Sequence, residues 1–282
     1  MYTLTAENKY GERLELTHNP CYDITEIDGL YPPEAVINST KTAGMDGAVF
    51  NSAYMNSRTI TITLMVNGPA EENRIQLYRY FKTKYPVRLY YKNGIRDVYI
   101  DGYVSKISVE YFNQKQTVQV IVECPLPLFN ATAESRTEFS NVESLFEFPF
   151  TIDSGGIPFS EVRNGKQESI INGGDVETGV LIRLNAVGDV VNPKIYNTDT
   201  GEYMIINQEM QKGDEITINT RKKQKTITML RDGAVSNLIG KLQAGSTWFG
   251  LIPGDNLFAY EADEASDNLR CTFIVNDQFE GV

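Results

Sequence analysis

The chain has 282 residues and a formal net charge of -11, with 41% hydrophobic and 22% charged residues. That length favours two domains, and the longest apolar run, Ile60 to Val66 with its interspersed Thr, falls far short of the roughly 20 residues a membrane span needs. The acidity lies in residues 131–282, with 13 Lys and Arg against 23 Asp and Glu, whereas residues 1–130 are nearly neutral at 13 against 14. This balance excludes sequence-independent nucleic-acid binding, whose affinity comes from neutralising phosphates with Lys and Arg.

The start, MYTLTAENKYGERLEL, lacks the basic and apolar blocks of a secretory signal. Cys21, Cys124 and Cys271 are odd in number and far apart, which fits reduced thiols better than a disulfide framework. Both features fit a cytosolic setting. Next, IDGLYPPEAVI from Ile27 to Ile37 reads as a strand, followed by a polar arm from Asn38 to Ser57 and a second strand, RTITITLMV, from Arg58. The arm holds Gly44, Asp46 and Gly47 among small polar residues, with Met45, Val49, Phe50, Tyr54 and Met55 as isolated large apolar ones. It has little core of its own, so these side chains need another surface, most simply a neighbouring copy of the chain.

Period-two alternation then dominates: Ile60, Ile62, Leu64 and Val66, later Val118, Val120 and Val122, then Val180, Ile182 and Leu184, and Ile216 with Ile218 mark half-buried strands. The exception is Pro69 to Tyr85, where Leu77, Tyr78, Phe81 and Tyr85 share one helical face and Glu72, Gln76, Arg79 and Thr83 the other. Gly68 and Pro69 suit its N-cap and first position, Lys82 and Lys84 its last turn, and Pro86 stops it. CPLPLFNATAESRTEF, Cys124 to Phe139, reads as the crossing between a first domain, residues 1–130, and a second, residues 131–282. The second shows many short strands between Gly, Asn and Asp turns and no clear helix, the pattern of a β-sandwich.

Side chains able to carry chemistry are sparse. His18 is the single histidine and lies in the turn sequence LTHNPCY; with Cys21 alone beside it, no zinc site is expected. Glu261, Asp263, Glu264 and Asp267 form an acidic cluster that a glycosidase pair or a weak calcium site would need, but nothing nearby marks a carboxyl for a raised pKa. The run Arg221, Lys222, Lys223 and Lys225 suits a hairpin tip. GMDGAVF lacks the spacing and the lysine of a phosphate loop. Trp248, in GSTWFGLIPGDN, is either a packed residue before a Pro-Gly turn or a sugar platform, the latter joined by Tyr196, Tyr203 and Tyr260 in a carbohydrate-binding adhesin. Neither catalytic residue, cofactor nor metal is expected.

The order of strand, arm, strand, single helix and CPLPLF resembles the first half of the distal tail proteins of long-tailed phages. The resemblance continues through INGGDVETGVLIRL from Ile171, NPKIYNTDTGEYM from Asn192, KGDEITINT from Lys212, GSTWFGLIPGDN from Gly245 and the final FEGV from Phe279. It implies a mainly β chain: a β-sandwich or barrel-like first domain with one α-helix and a protruding arm, then a galectin-like β-sandwich at the periphery. It also implies a structural role at the virion tail tip, in a phage or a tail-like particle. There the first domain would close a hexameric ring between the tail tube protein and the tip or hub protein, and the second would anchor receptor-binding proteins. Galectin-type sugar binding relies on a His, Asn and Arg set beside the Trp, and the second half has no His.

Overall fold

The computed structural model describes residues 2–44, 46–111, 115–139, 142–144, 160–162 and 167–282. The chain divides into two units, Met1–Ala133 with Gln278–Val282, and Glu134–Asp277. The sequence boundary at 130/131 thus lies slightly early, and the C-terminal residues return to the first unit instead of ending the second.

In the first unit the elements are β1 (Thr3–Asn8), β2 (Arg13–Glu15), β3 (Tyr22–Asp28), β4 (Ala35–Thr40), β5 (Val49–Met55), β6 (Arg58–Val66), α1 (Ala70–Tyr80), β7 (Pro86–Lys92), β8 (Asp97–Glu110), β9 (Gln116–Cys124) and β10 (Phe129–Ala131). One antiparallel sheet runs β2-β1-β7-β8-β9-β6-β3. Its path ends at β2 and β3, so it does not close into a barrel. β10 pairs with β8 and with a short C-terminal strand, Gln278–Phe279. Period two works as the sequence implies: Ile60, Ile62, Leu64 and Val66 from β6 and Val118, Val120 and Val122 from β9 are buried together with Leu77 and Phe81.

The helix differs from the sequence reading at both ends. Pro69 is the N-cap and Ala70 the first helical residue, and the helix stops at Tyr80. Phe81 leaves the helical path with its N–H still bonded to Leu77 O, and its ring is fully buried. Lys84 N then donates to Val104 O and Val104 N to Tyr85 O, so these residues are already bonded to β8, and Lys82 and Lys84 lie beyond the last turn. The buried stripe also includes two polar residues. Asn73 donates to Asn67 O at 2.9 Å, and Arg74 pairs with Glu71 and lies over the Tyr111 ring at 4.7 Å.

The second unit is a two-sheet sandwich. One sheet is ordered Ser135–Glu138, Leu269–Val275, Val180–Ala186, Glu215–Asn219, Thr226–Arg231, Ala234–Asn237. The other is ordered Glu168–Asn172, Gly254–Glu264, Val190–Asn197, Tyr203–Ile205. Their inner faces meet in a shared core of Ile182, Leu184, Ile218 and Phe273 from one sheet and Ile170, Ile195 and Phe258 from the other. Cys21, Cys124 and Cys271 are all free thiols, and burial pushes the Cys124 thiol up to about 12.

Candidate assembly interface

The arm is a β-hairpin that belongs to no other sheet. β4 and β5 pair only with each other, and Asn56 N donates to Glu34 O to close its base. It therefore begins at Ala35, not at Asn38. The stretch Ile27–Ile37 is not one strand: β3 ends at Asp28 and an irregular root separates it from β4. At the turn, Gly44 and Gly47 have φ of +85° and +93°, a region open to glycine at little cost, and Asp46 is exposed between them. Met45 lies outside the described residues.

All of β5 is exposed, with Val49 at 57%, Phe50 at 64%, Tyr54 at 55% and Met55 at 37%; Ile37 of β4, at 67%, belongs with them. The register sorts these side chains onto two faces. Ala35 faces Met55, Ile37 faces Ala53 and, past a bulge between Asn38 and Ser39, Ser39 faces Phe50. Directly opposed residues share a face, so the bulge moves Phe50 onto the side of Ile37, Ala53 and Met55. The other side holds Val36, Tyr54 and Val49 around a polar centre in which Asn38 Nδ2 donates to Ser52 Oγ at 3.0 Å. A lone two-stranded hairpin is marginally stable in water, and this one leaves apolar groups uncovered on both faces.

At the root, Arg58 opens β6 in phase with the buried residues and is only 4% exposed. Its Nη1 donates to Gly29 O and Tyr31 O, both at 2.8 Å, its Nε to Pro127 O at 2.7 Å, and its Nη2 to Glu280 O. The guanidinium lies 4.6 Å from the Phe129 ring centroid. Burial draws its pKa down from the ordinary arginine value, with Cys124 and Glu280 acting the other way. Arg58 and the C-terminal residues were not among the expected site residues. The available signal was an arginine falling on the inward phase of the 58, 60, 62, 64, 66 stripe.

The remaining candidates are separate features. His18 is exposed in a left-handed turn with φ of +56°. Asp263 is bound by Lys194 Nζ at 2.5 Å and by Asn192 Nδ2 at 2.9 Å, and Tyr196 OH donates to Glu261 at 2.7 Å. The Lys194 hydrogen bond holds the Asp263 carboxyl below the usual range, the reverse of what a general acid requires. Among the described residues no group of three or more His, Cys, Asp or Glu could hold a metal, and no helix is long and apolar enough to cross a membrane. Trp248 packs half-buried against the second unit's core with Lys225 Nζ 5.5 Å from its ring. Tyr260 is buried edge-on to Phe139, so its ring forms no open sugar platform. Arg221, Lys222, Lys223 and Lys225 occupy a hairpin tip as expected, with Arg221 paired to Glu134 at 2.9 Å.

Residues 10–124 match the phage tail protein RIFT-related domain, and residues 173–276 match the C-terminal domain of siphovirus-type tail components. Fold and domain content thus define a phage tail component. The chain belongs to the distal tail protein family of siphophage-type tails. It is similar in fold to the crystal structure of the Dit protein of phage SPP1, described as a paradigm of the hub adsorption apparatus in phages infecting Gram-positive bacteria. That match has a TM-score of 0.73 at 13% identity over 99% of each chain. Two structures of the phage p2 baseplate in its activated conformation, with Ca and with Sr, match at a TM-score of 0.56 and 13% identity over 100% of each chain. No curated protein sequence matches the chain.

Proposed function

We propose that this protein is a non-enzymatic ring subunit of the tail tip. Six copies close a hexamer through the first unit, and each arm clasps its neighbour by burying its apolar residues there. The ring joins the tail tube protein to the tip or hub protein and leaves a passage for DNA. The second unit stands outside, where its acidity is a solvated face, and anchors host-recognition proteins. Its place is the virion tail tip, after assembly in the bacterial cytoplasm. The observation that carries this reading is the hairpin itself, which stands apart from its own sheet with Ile37, Val49, Phe50 and Tyr54 exposed.

Negative-stain images of the purified protein test it. Six-fold annuli with a central hole are expected, and particles of any other symmetry or none would overturn the hexamer. In the same preparation, replacing Val49, Phe50 and Tyr54 together by Ser should shift light-scattering mass toward monomer while both units stay folded. Each such side chain is worth roughly 1.5–3 kcal/mol when buried, and the loss recurs at every contact of a ring. An unchanged ring mass in that variant removes the arm from the interface.

A further inference from the structure

We propose that Arg58 is a positioning residue for the arm and that the C-terminal residues, Glu280 to Val282, are a strap that fixes the arm's take-off from the body. The backbone of the root supports this. Ladder pairing of β3 with β6 ends at Asp28 opposite Thr61, and β4 starts its separate sheet at Ala35. Between them, carbonyls that have left the sheet still need donors. Gly29 O and Tyr31 O receive theirs from Arg58, and Leu30 O receives its from Val282 N at 3.1 Å. These three consecutive carbonyls are thus held by one buried side chain and by the end of the chain, not by the hairpin.

The geometry leaves the root little room. Gly29 has φ of +88°, and a Cβ there would lie 2.1 Å from Thr59 O, so the chain turns off directly over the start of β6. Gly281 also packs close to the root, where an added Cβ would meet Pro32 Cδ at 3.1 Å. The same guanidinium that holds the root also takes Glu280 O and Pro127 O. Arg58 therefore fastens the arm's base to the segment leaving for the second unit and to the segment returning from it. A six-residue strand reaches about 20 Å, so slight angular freedom at the root becomes a wide sweep at the tip. An arm set in one direction binds a neighbour without first losing that freedom.

The effect on assembly rests on the clasp reading above, whereas the effect on the root does not. The test compares the full chain with a form ending at Phe279 and with Arg58→Met, digested by a Glu-specific protease. Cleavage after Glu34, in the root, is timed against cleavage after Glu12, in the exposed turn between β1 and β2. In the shortened chain the Glu34 cut should accelerate about tenfold, the scale of one lost hydrogen bond to a charged group, with the Glu12 cut and the thermal midpoint nearly unchanged. Arg58→Met should accelerate the Glu34 cut further. An unaltered Glu34 rate in the shortened chain overturns the strap, as does a rise at Glu34 and Glu12 together. Light scattering of the same samples separates the two ideas: a loosened root with unchanged association leaves the strap standing and removes the clasp.

Discussion

Strands β5 and β6 are separated by Asn56 and Ser57 alone, yet every residue of β5 is exposed while β6 buries every second one. Apolar content does not distinguish them, since β5 carries Val49, Phe50, Ala53, Tyr54 and Met55. The difference is spacing and partnership. β6 repeats Ile60, Ile62, Leu64 and Val66 with strict period two between β3 and β9, so each inward side chain meets a core prepared on both flanks. In β5 the apolar residues fall out of phase, and only the bulge gathers part of them onto one face. A strand that is apolar without being periodic, beside one that is both, is left with apolar side chains that its own unit does not cover.

The largest expected effect breaks the β6 side of this contrast. Ile62 is fully buried, and Ile62→Ala should cost about 3 kcal/mol, lowering the first unit's calorimetric midpoint by roughly 10 °C. Any loss of association would follow from that unfolding. The arm should behave in the opposite way. Ile37→Ser with Phe50→Ser, or Val49→Ser with Tyr54→Ser, should leave the stability within about 0.5 kcal/mol of the parent, because exposed sites contribute little to the fold. Association should weaken more for the Ile37 and Phe50 pair, whose face runs on through Ala53 and Met55, than for the pair flanking the polar Asn38 and Ser52 centre. Equal losses by sedimentation would mean that the hairpin is buried on both faces.

Much of this was legible in the residues. The inward stripes of β6 and β9, the single helix, the basic hairpin tip at Arg221 to Lys225 and the exposed arm all follow from local spacing and turn chemistry. What was not legible depends on distant parts of the chain. The helix stops early because Phe81 is drawn into a core that includes Val118, Val120 and Val122 of β9, which no window around Pro69 contains. The strand read into Ile27 to Ile37 breaks at Gly29 because Arg58 and Val282 supply the donors that a neighbouring strand would otherwise give. Gly29, Pro32 and Pro33 marked that break in the sequence, but only the register identifies what replaces the ladder. The final FEGV belongs to the first unit through Phe279, paired with Phe129, a partner that the sequence leaves open.

A smaller effect, set by pH, separates the arm from the bodies on chemical grounds. From Ala35 to Met55 the only charged side chains are Lys41 and Asp46, so an apolar clasp has almost nothing to titrate. The second unit holds Asp214, with its side chain 4% exposed, accepting from Arg231 Nη2 at 2.5 Å and from Gln211 N at 2.7 Å. The Arg231 hydrogen bond chiefly keeps this carboxyl below its ordinary pKa. A depressed folded-state pKa means that the native form binds its proton later than the unfolded form as pH falls. The stabilisation is therefore complete above the ordinary carboxylate value and is lost as pH drops through the lower folded one. Asp214→Asn should flatten that acid limb in thermal melts of the second unit and cost less at neutral pH than Ile62→Ala. If the proposed clasp holds the assembly, its mass, measured at pH values where both units remain folded, should stay constant; a mass that falls with the carboxylates would assign the subunit contact to ion pairs and not to the apolar faces of the arm.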